Sequence, residues 1–182
     1  MSKDKDKVIL ALLQNERQVR QGFEMLVHQY SQLLYWKIRH LVTNHDDAND
    51  VLQNVFIKAW NNLGQFQGHS SIGTWLYRIA INESLDFLRH KKTSFIVSAD
   101  EDVNIVNQLL ADEYFDGDET AAQLQAAIAL LPEVQRTVFT LRYYDEMKYS
   151  EMIRILATSE GALKASYHLA VKKISDYFHR ND

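Results

Sequence analysis

An all-α fold, built as two small helical domains joined by an acidic linker, is what this sequence predicts. Three observations lead there. Helix breakers are scarce: the 182 residues include 6 glycines and 1 proline. Apolar residues recur with a helical period over most of the chain, and no segment keeps the strict alternation of a strand. That periodicity stops in one acidic stretch and then resumes. Residues 94–124 carry 8 acidic and no basic side chains, whereas residues 1–93 carry 12 basic and 9 acidic ones. Residues 125–182 carry 8 basic and 7 acidic. The expected domains are therefore 1–93 and 120–182, with 94–119 as the linker.

The first helix is expected over about 20–42, with Phe23, Leu26, Val27, Tyr30, Leu33, Leu34, Ile38 and Leu41 as its apolar stripe. A second is expected over about 46–62, with Asp46 or Asp47 as N-cap. Gly64, Gly68 and Gly73 punctuate a polar loop, GQFQGHSSIG. A third helix is expected from about 74 to 91, and the basic string RHKK at its end suits the negative pole of the helix dipole. Within the linker, a short helix is expected near Val103–Leu110. Pro132 is tolerated only in a first helical turn, so one helix should end near Leu130 and another start at Pro132. A short helix at Tyr149–Leu156, the break ATS and a longer helix from Glu160, capped by Ser159, give the length pattern of a helix-turn-helix.

Composition excludes several classes. Apolar residues make up 46% of the chain, enough for cores. Absence of cysteine removes disulfides and Cys-based zinc sites. The N-terminal apolar run, Val8 to Leu13, is too short for a signal-peptide core or a membrane span. A cytoplasmic protein without membrane insertion is expected. The seven histidines are dispersed, with no HExxH or ExxH pair. Neither a phosphate loop nor a nucleophile elbow occurs. No catalytic residue, metal or cofactor is therefore expected.

Two helix faces do not suit a simple core. On the second helix Ala48, Val51, Leu52, Val55 and Ala59 form one apolar side. Asp50, Gln53 and Asn54 lie opposite, and Ile57 lies among them. An apolar side chain ringed by hydrogen-bonding groups is either a scattered surface isoleucine or the centre of a protein docking face. On the third helix Trp75, Arg78, Asn82 and Arg89 share a side with Asp86, while Leu76, Ala80, Phe87 and Leu88 take the other. An aromatic can stack on a base, an amide can read its edge and a guanidinium can hold phosphate. A solvated face with a half-buried Trp is the plainer alternative.

Taken in order, DDANDVLQNVFIKAWNNLGQF, GTWLYRIAINESLDFLRHKK and LPEVQRTVFTLRYYDEMKYSEMIRILATSEGALKASYHLAVKKI resemble the sigma factors of RNA polymerase, specifically the small two-domain extracytoplasmic-function type of the sigma-70 family. The resemblance covers about 20–92 and 120–178. It implies a first domain that binds polymerase core and recognises the minus-ten element, and a second that reads the minus-thirty-five element. Asp50, Gln53, Asn54 and Ile57 would meet the clamp coiled coil of the largest polymerase subunit. Phe66, His69, Ser70, Ser71, Trp75, Arg78, Asn82 and Arg89 would hold the unwound minus-ten strand. Lys164, Ser166 and His168, outward on the recognition helix opposite Leu163, Ala170 and Ile174, would face the minus-thirty-five duplex. The acidic linker would thread toward the active-site cleft and RNA exit channel. Partners implied are polymerase core, promoter DNA and an anti-sigma factor; catalysis would belong to the polymerase.

The family pattern is not followed everywhere. An acidic residue is usual at Asn54, a small one at Ile153, glycine at Ala157 and arginine at Ser166, Leu169 and Val171. Lys148 stands where a capping serine is common. Minus-thirty-five reading is therefore expected to be weak. Two alternatives stay open at this point: a helix-turn-helix regulator that ignores polymerase, and a sigma-like interaction protein without independent promoter recognition.

Overall fold

The computed structural model describes residues 2–42, 44–92, 107, 110–111 and 117–181. Among them lie eight α-helices: α1 (Ser2–Leu13), α2 (Val19–Val42), α3 (His45–Asn61), α4 (Ile72–Lys92), α5 (Glu119–Ala129), α6 (Glu133–Tyr143), α7 (Tyr149–Leu156) and α8 (Glu160–Asn181). One 3-10 turn, Leu63–Gln65, follows α3. No described residue is in a strand. The chain packs as two compact units, Met1–Arg39 with Asp46–Phe87, and His40–His45 with Leu88–Asp182.

In the first unit the helices bury the faces their spacing prescribes. Leu26, Tyr30, Leu34 and Ile38, four apart along α2, are all buried. Ala48, Val51, Val55 and Ala59 do the same on α3. On the part of α4 in this unit the buried set is Ile72, Leu76, Ala80, Ile81, Ser84 and Leu85. Ser84 belongs there because its hydroxyl donates to the Ala80 carbonyl at 2.8 Å, which satisfies a buried polar group within its own helix.

Several expectations need correction. Leu33, assigned to the core stripe, is 53% exposed. Met25 and Trp36 on the same helix are exposed too, so α2 carries apolar side chains around much of its circumference and a stripe cannot be centred from sequence alone. Asp46 and Asp47 do not precede α3 but lie in its first turn, where negative charge complements the dipole. Gly73 is not a loop glycine; it sits in the first turn of α4. α1 was not anticipated. It buries Ile9 completely, and its end approaches α2 so closely that a Cβ on Gly22 would lie 2.9 Å from the Leu12 Cβ.

In the second unit Ala126, Ala127, Ile128, Leu131, Phe139, Ala170, Ile174 and Tyr177 form a core drawn from α5, α6, α8 and the turn after α5. The Asp118 carboxylate caps α5 by accepting from the Ala121 N–H at 2.9 Å. Pro132 is the N-cap of α6 rather than its first helical residue. Tyr149–Leu156 and the helix from Glu160 are where the sequence puts them. Ser159 Oγ accepts from the Ala162 N–H at 3.2 Å, the cap expected for α8. The short helix expected near Val103–Leu110 falls, apart from Asn107 and Leu110, outside the described residues, as does most of the 94–119 linker.

Candidate polymerase and nucleic-acid interfaces

α3 is a two-sided helix. Its core side holds Ala48, Val51, Val55 and Ala59, each at 1% exposure or less. Asp50, Gln53, Asn54 and Ile57 are all exposed, and Ile57 leaves 53% of its surface in solvent. At about 100° per residue these four fall on one outward strip, and so does Trp60, which is 42% exposed. Sequence reasoning missed Trp60, although its position three residues after Ile57 was the signal. Its indole rests on Phe23 in an edge-to-face pair, with centroids 4.9 Å apart. The strip thus has two apolar side chains flanked by three hydrogen-bonding ones, a composition suited to the centre and rim of a protein interface.

Beside that strip, Lys58 forms an ion pair with Glu83 of α4. The pair ties α3 to the neighbour of Asn82, so the two outward faces of this unit are joined by a contact near the surface. On α4, Arg78 and Asn82 are exposed and Trp75 is half-buried. The Trp75 ring lies 5.3 Å from that of Phe66, tilted 51°. Part of the indole is thereby committed to holding the preceding loop, and the side chain as a whole stays half-buried. Ser71 caps α4: its Oγ accepts from the Thr74 N–H at 3.1 Å. Ser70 and His69 lie just before it, with His69 Nε2 2.9 Å from Gln67 Oε1. Phe66 thus meets Trp75, Ser71 caps the same helix start, His69 and Ser70 lie in the loop just before it, and Arg78 and Asn82 are exposed one and two turns on from Trp75. Arg89 is not gathered with them; it belongs to the second unit, where its Nε lies 3.6 Å from Glu133 Oε1.

The helix-turn-helix carries a strained joint. Ala157, at the end of α7, has φ 49° and ψ 45°, the left-handed region that a Cβ disfavours by about 1–2 kcal/mol. Lys148 supplies no capping acceptor at the start of α7; instead the Glu151 carboxylate accepts from the Lys148 N–H at 3.4 Å. On α8, Lys164 and His168 are exposed one turn apart. Ser166 does not share their face. It is half-buried and sits about 160° around the helix from His168, a correction to the outward trio. Lys164 Nζ is held by Glu160 Oε1 at 2.7 Å. That hydrogen bond and charge raise the ammonium above its ordinary pKa, so Lys164 remains a cation with a carboxylate already against it. Leu169 and Val171 are 45% and 42% exposed.

A model of sigma-70 region 2 matches residues 26–93, and one of sigma-70 region 4 matches residues 121–174. The chain belongs to the sigma-70 family. Curated relatives agree. This sigma factor is 32% identical to the ECF RNA polymerase sigma factor SigW of Bacillus subtilis, over 84% of the chain and 88% of the relative. It is 30% identical to the ECF RNA polymerase sigma-E factor of Escherichia coli, over 94% of the chain and 93% of the relative. Its place is thus in the extracytoplasmic-function group, whose members are transcription initiation factors rather than enzymes. Two solved structures share the fold. One is of CnrH in complex with the cytosolic domain of CnrY, at TM-score 0.66, 22% identity and coverage of 98% of this chain and 99% of that one. The other is of the sigma factor RpoE in complex with the anti-sigma factor NepR from Bartonella quintana, at TM-score 0.64, 20% identity and coverage of 86% and 96%. A helix-turn-helix regulator that ignores polymerase is disfavoured, because it leaves the region 2 match unexplained. Among the described residues no helix is long and apolar enough to cross a membrane.

Proposed function

We propose that this sigma factor docks on the clamp coiled coil of core polymerase through Asp50, Gln53, Asn54, Ile57 and Trp60. It would then hold the unwound minus-ten strand on the surface formed by Phe66, His69, Ser70, Ser71, Trp75, Arg78 and Asn82. The observation that carries the proposal is the two-sidedness of α3: a fully packed apolar face opposite an exposed Ile57 set among hydrogen-bonding groups. Run-off transcription from promoter fragments, with and without this chain added to core polymerase, tests it. Transcripts with defined starts should need the chain. Start sites indifferent to its addition would remove the proposal.

Minus-thirty-five reading by Lys164, Ser166 and His168 is weak in this reading. Two observations support that. The Lys164 ammonium already has the Glu160 carboxylate against it, which offsets part of the charge it offers a phosphate, and Ser166 lies off the face of the other two. Few neutralised phosphates mean low affinity and a shallow salt dependence, and the tether to polymerase compensates by raising local concentration. The working compartment is the cytoplasm, where polymerase is. An anti-sigma factor is the further partner, in line with the complex in which the fold neighbour RpoE was solved.

A further inference from the structure

Helix α1 lies outside the residues that match the region 2 model, yet it makes specific polar contacts with α2. The Asp6 carboxylate oxygen Oδ1 accepts from the Tyr30 hydroxyl at 2.7 Å and from Gln29 Nε2 at 2.6 Å. Tyr30 is buried, at 6% exposure. Its ring in turn lies under the first turn of α4. A Cβ on Gly73 would come within 2.9 Å of the Tyr30 ring edge and 3.1 Å of its hydroxyl oxygen. Gly73 is two residues after Ser71, whose Oγ caps α4, and two before Trp75. One chain of contacts therefore runs from α1 through a single phenol to the start of the helix that carries the minus-ten surface.

We infer that α1 is a positioning element for minus-ten recognition: Asp6 fixes the Tyr30 hydroxyl, and the Tyr30 ring sets where α4 and its preceding loop begin. This rests on the minus-ten assignment proposed above. Glycine at position 73 is what allows the phenol to seat against backbone, so the α4 start follows the ring closely instead of through a compressible side chain. Burial and the Asp6 hydrogen bond push the Tyr30 hydroxyl up to about 12, so it stays a donor at any working pH. Tyr30 is buried and so is not itself part of the exposed α3 strip or the outward minus-ten surface. Its influence is on the geometry of Ser71, Trp75 and the loop between Phe66 and Ser71, and a small tilt there misplaces an aromatic that must meet a base.

The test uses full-length chain assembled with core polymerase and a random-sequence single-stranded DNA pool, sequenced after capture. Tyr30→Phe keeps the ring and removes the hydroxyl; Asp6→Ala removes the acceptor; Asp6→Asn keeps one. Tyr30→Phe and Asp6→Ala should lower enrichment of the wild-type motif about fivefold, the worth of one net hydrogen bond. Asp6→Asn should restore most of it. Core affinity should change little, and the thermal midpoint should fall only by the few degrees that one lost hydrogen bond accounts for. Unaltered enrichment in both disabling variants would overturn the inference. So would losses matched by equal losses of core affinity and thermal midpoint, which would make the contact merely structural. If wild-type holoenzyme enriched no motif, the minus-ten assignment itself would fail and take this inference with it.

Discussion

Replacing Ile57 by Asp is the most direct probe of the docking strip. Ile57 holds 53% of its surface in solvent, and full burial of an isoleucine stabilises by about 1.5–3 kcal/mol. Covering the remaining half on docking is therefore worth about 1 kcal/mol. An aspartate in the same place loses that gain and must also shed water against an apolar partner, at a cost of at least about 1 kcal/mol more. The expected loss is about 2 kcal/mol or more, about 30-fold in Kd for core polymerase. The free protein should be unaffected, because the side chain points away from Ala48, Val51, Val55 and Ala59. Fluorescence anisotropy of labelled protein titrated with core polymerase measures the affinity, and circular dichroism checks the fold. A Kd within twofold of wild type, with an unchanged helix signal, would refute the docking reading of α3.

Three further outcomes are expected. Asn82→Ala should slow open-complex formation at a promoter while leaving core binding intact; identical permanganate reactivity of the melted strand would remove Asn82 from the minus-ten face. Ala157→Gly should stabilise the second unit by about 0.5–1 kcal/mol, since glycine takes the left-handed joint without the Cβ penalty but gains freedom when unfolded; chemical denaturation of the full chain would show a higher midpoint, and a lower one would contradict the strain. Tyr30 and Tyr144 are both raised from 10.0 to about 12, chiefly by burial. A raised folded pKa means the neutral form is favoured by folding, so this contribution is complete below pH 10 and disappears as pH climbs toward 12. Tyr30→Phe should flatten the alkaline loss measured by thermal melts across that window, and an unchanged slope would show that Tyr30 does not titrate with unfolding.

Legibility followed how sharply each segment separates its faces. α3 could be read closely because its buried side is Ala48, Val51, Val55 and Ala59, with Leu52 and Phe56 at its margins, and its outward side is polar except for Ile57 and Trp60. α7 and α8 were delimited by the ATS break and Ser159, both of which act locally. α2 resisted because Met25, Leu33 and Trp36 extend its apolar character past the buried stripe, so Leu33 was placed inside. α1 is hard to read because its apolar run, Val8 to Leu13, is short and does not declare the partner against which Ile9 is buried. What reveals α1 is tertiary: Asp6 finding Tyr30, and Gly22 admitting Leu12. The Lys164–Glu160 pair was available at i,i+4 spacing, but whether the lysine would prefer that carboxylate to solvent depends on rotamers that sequence does not fix. Ser166 was grouped with its neighbours by proximity along the chain, whereas the helical turn separates it from them.

The two faces of α3 also set what kind of change this helix tolerates. Each residue advances the helix by about 100°, so a single inserted or deleted residue near Leu52 would rotate everything after it. Val55 and Ala59 would leave the core together, and Ile57 and Trp60 would swing off the outward strip at the same moment. A substitution of Asp50, Gln53, Asn54 or Ile57, by contrast, leaves the packed side in place, whereas one at Trp60 also removes its contact with Phe23. A change of length in α3 therefore strikes the core and the docking strip together, and variants that alter its residue count should be rarer among functional copies than variants that alter one outer residue.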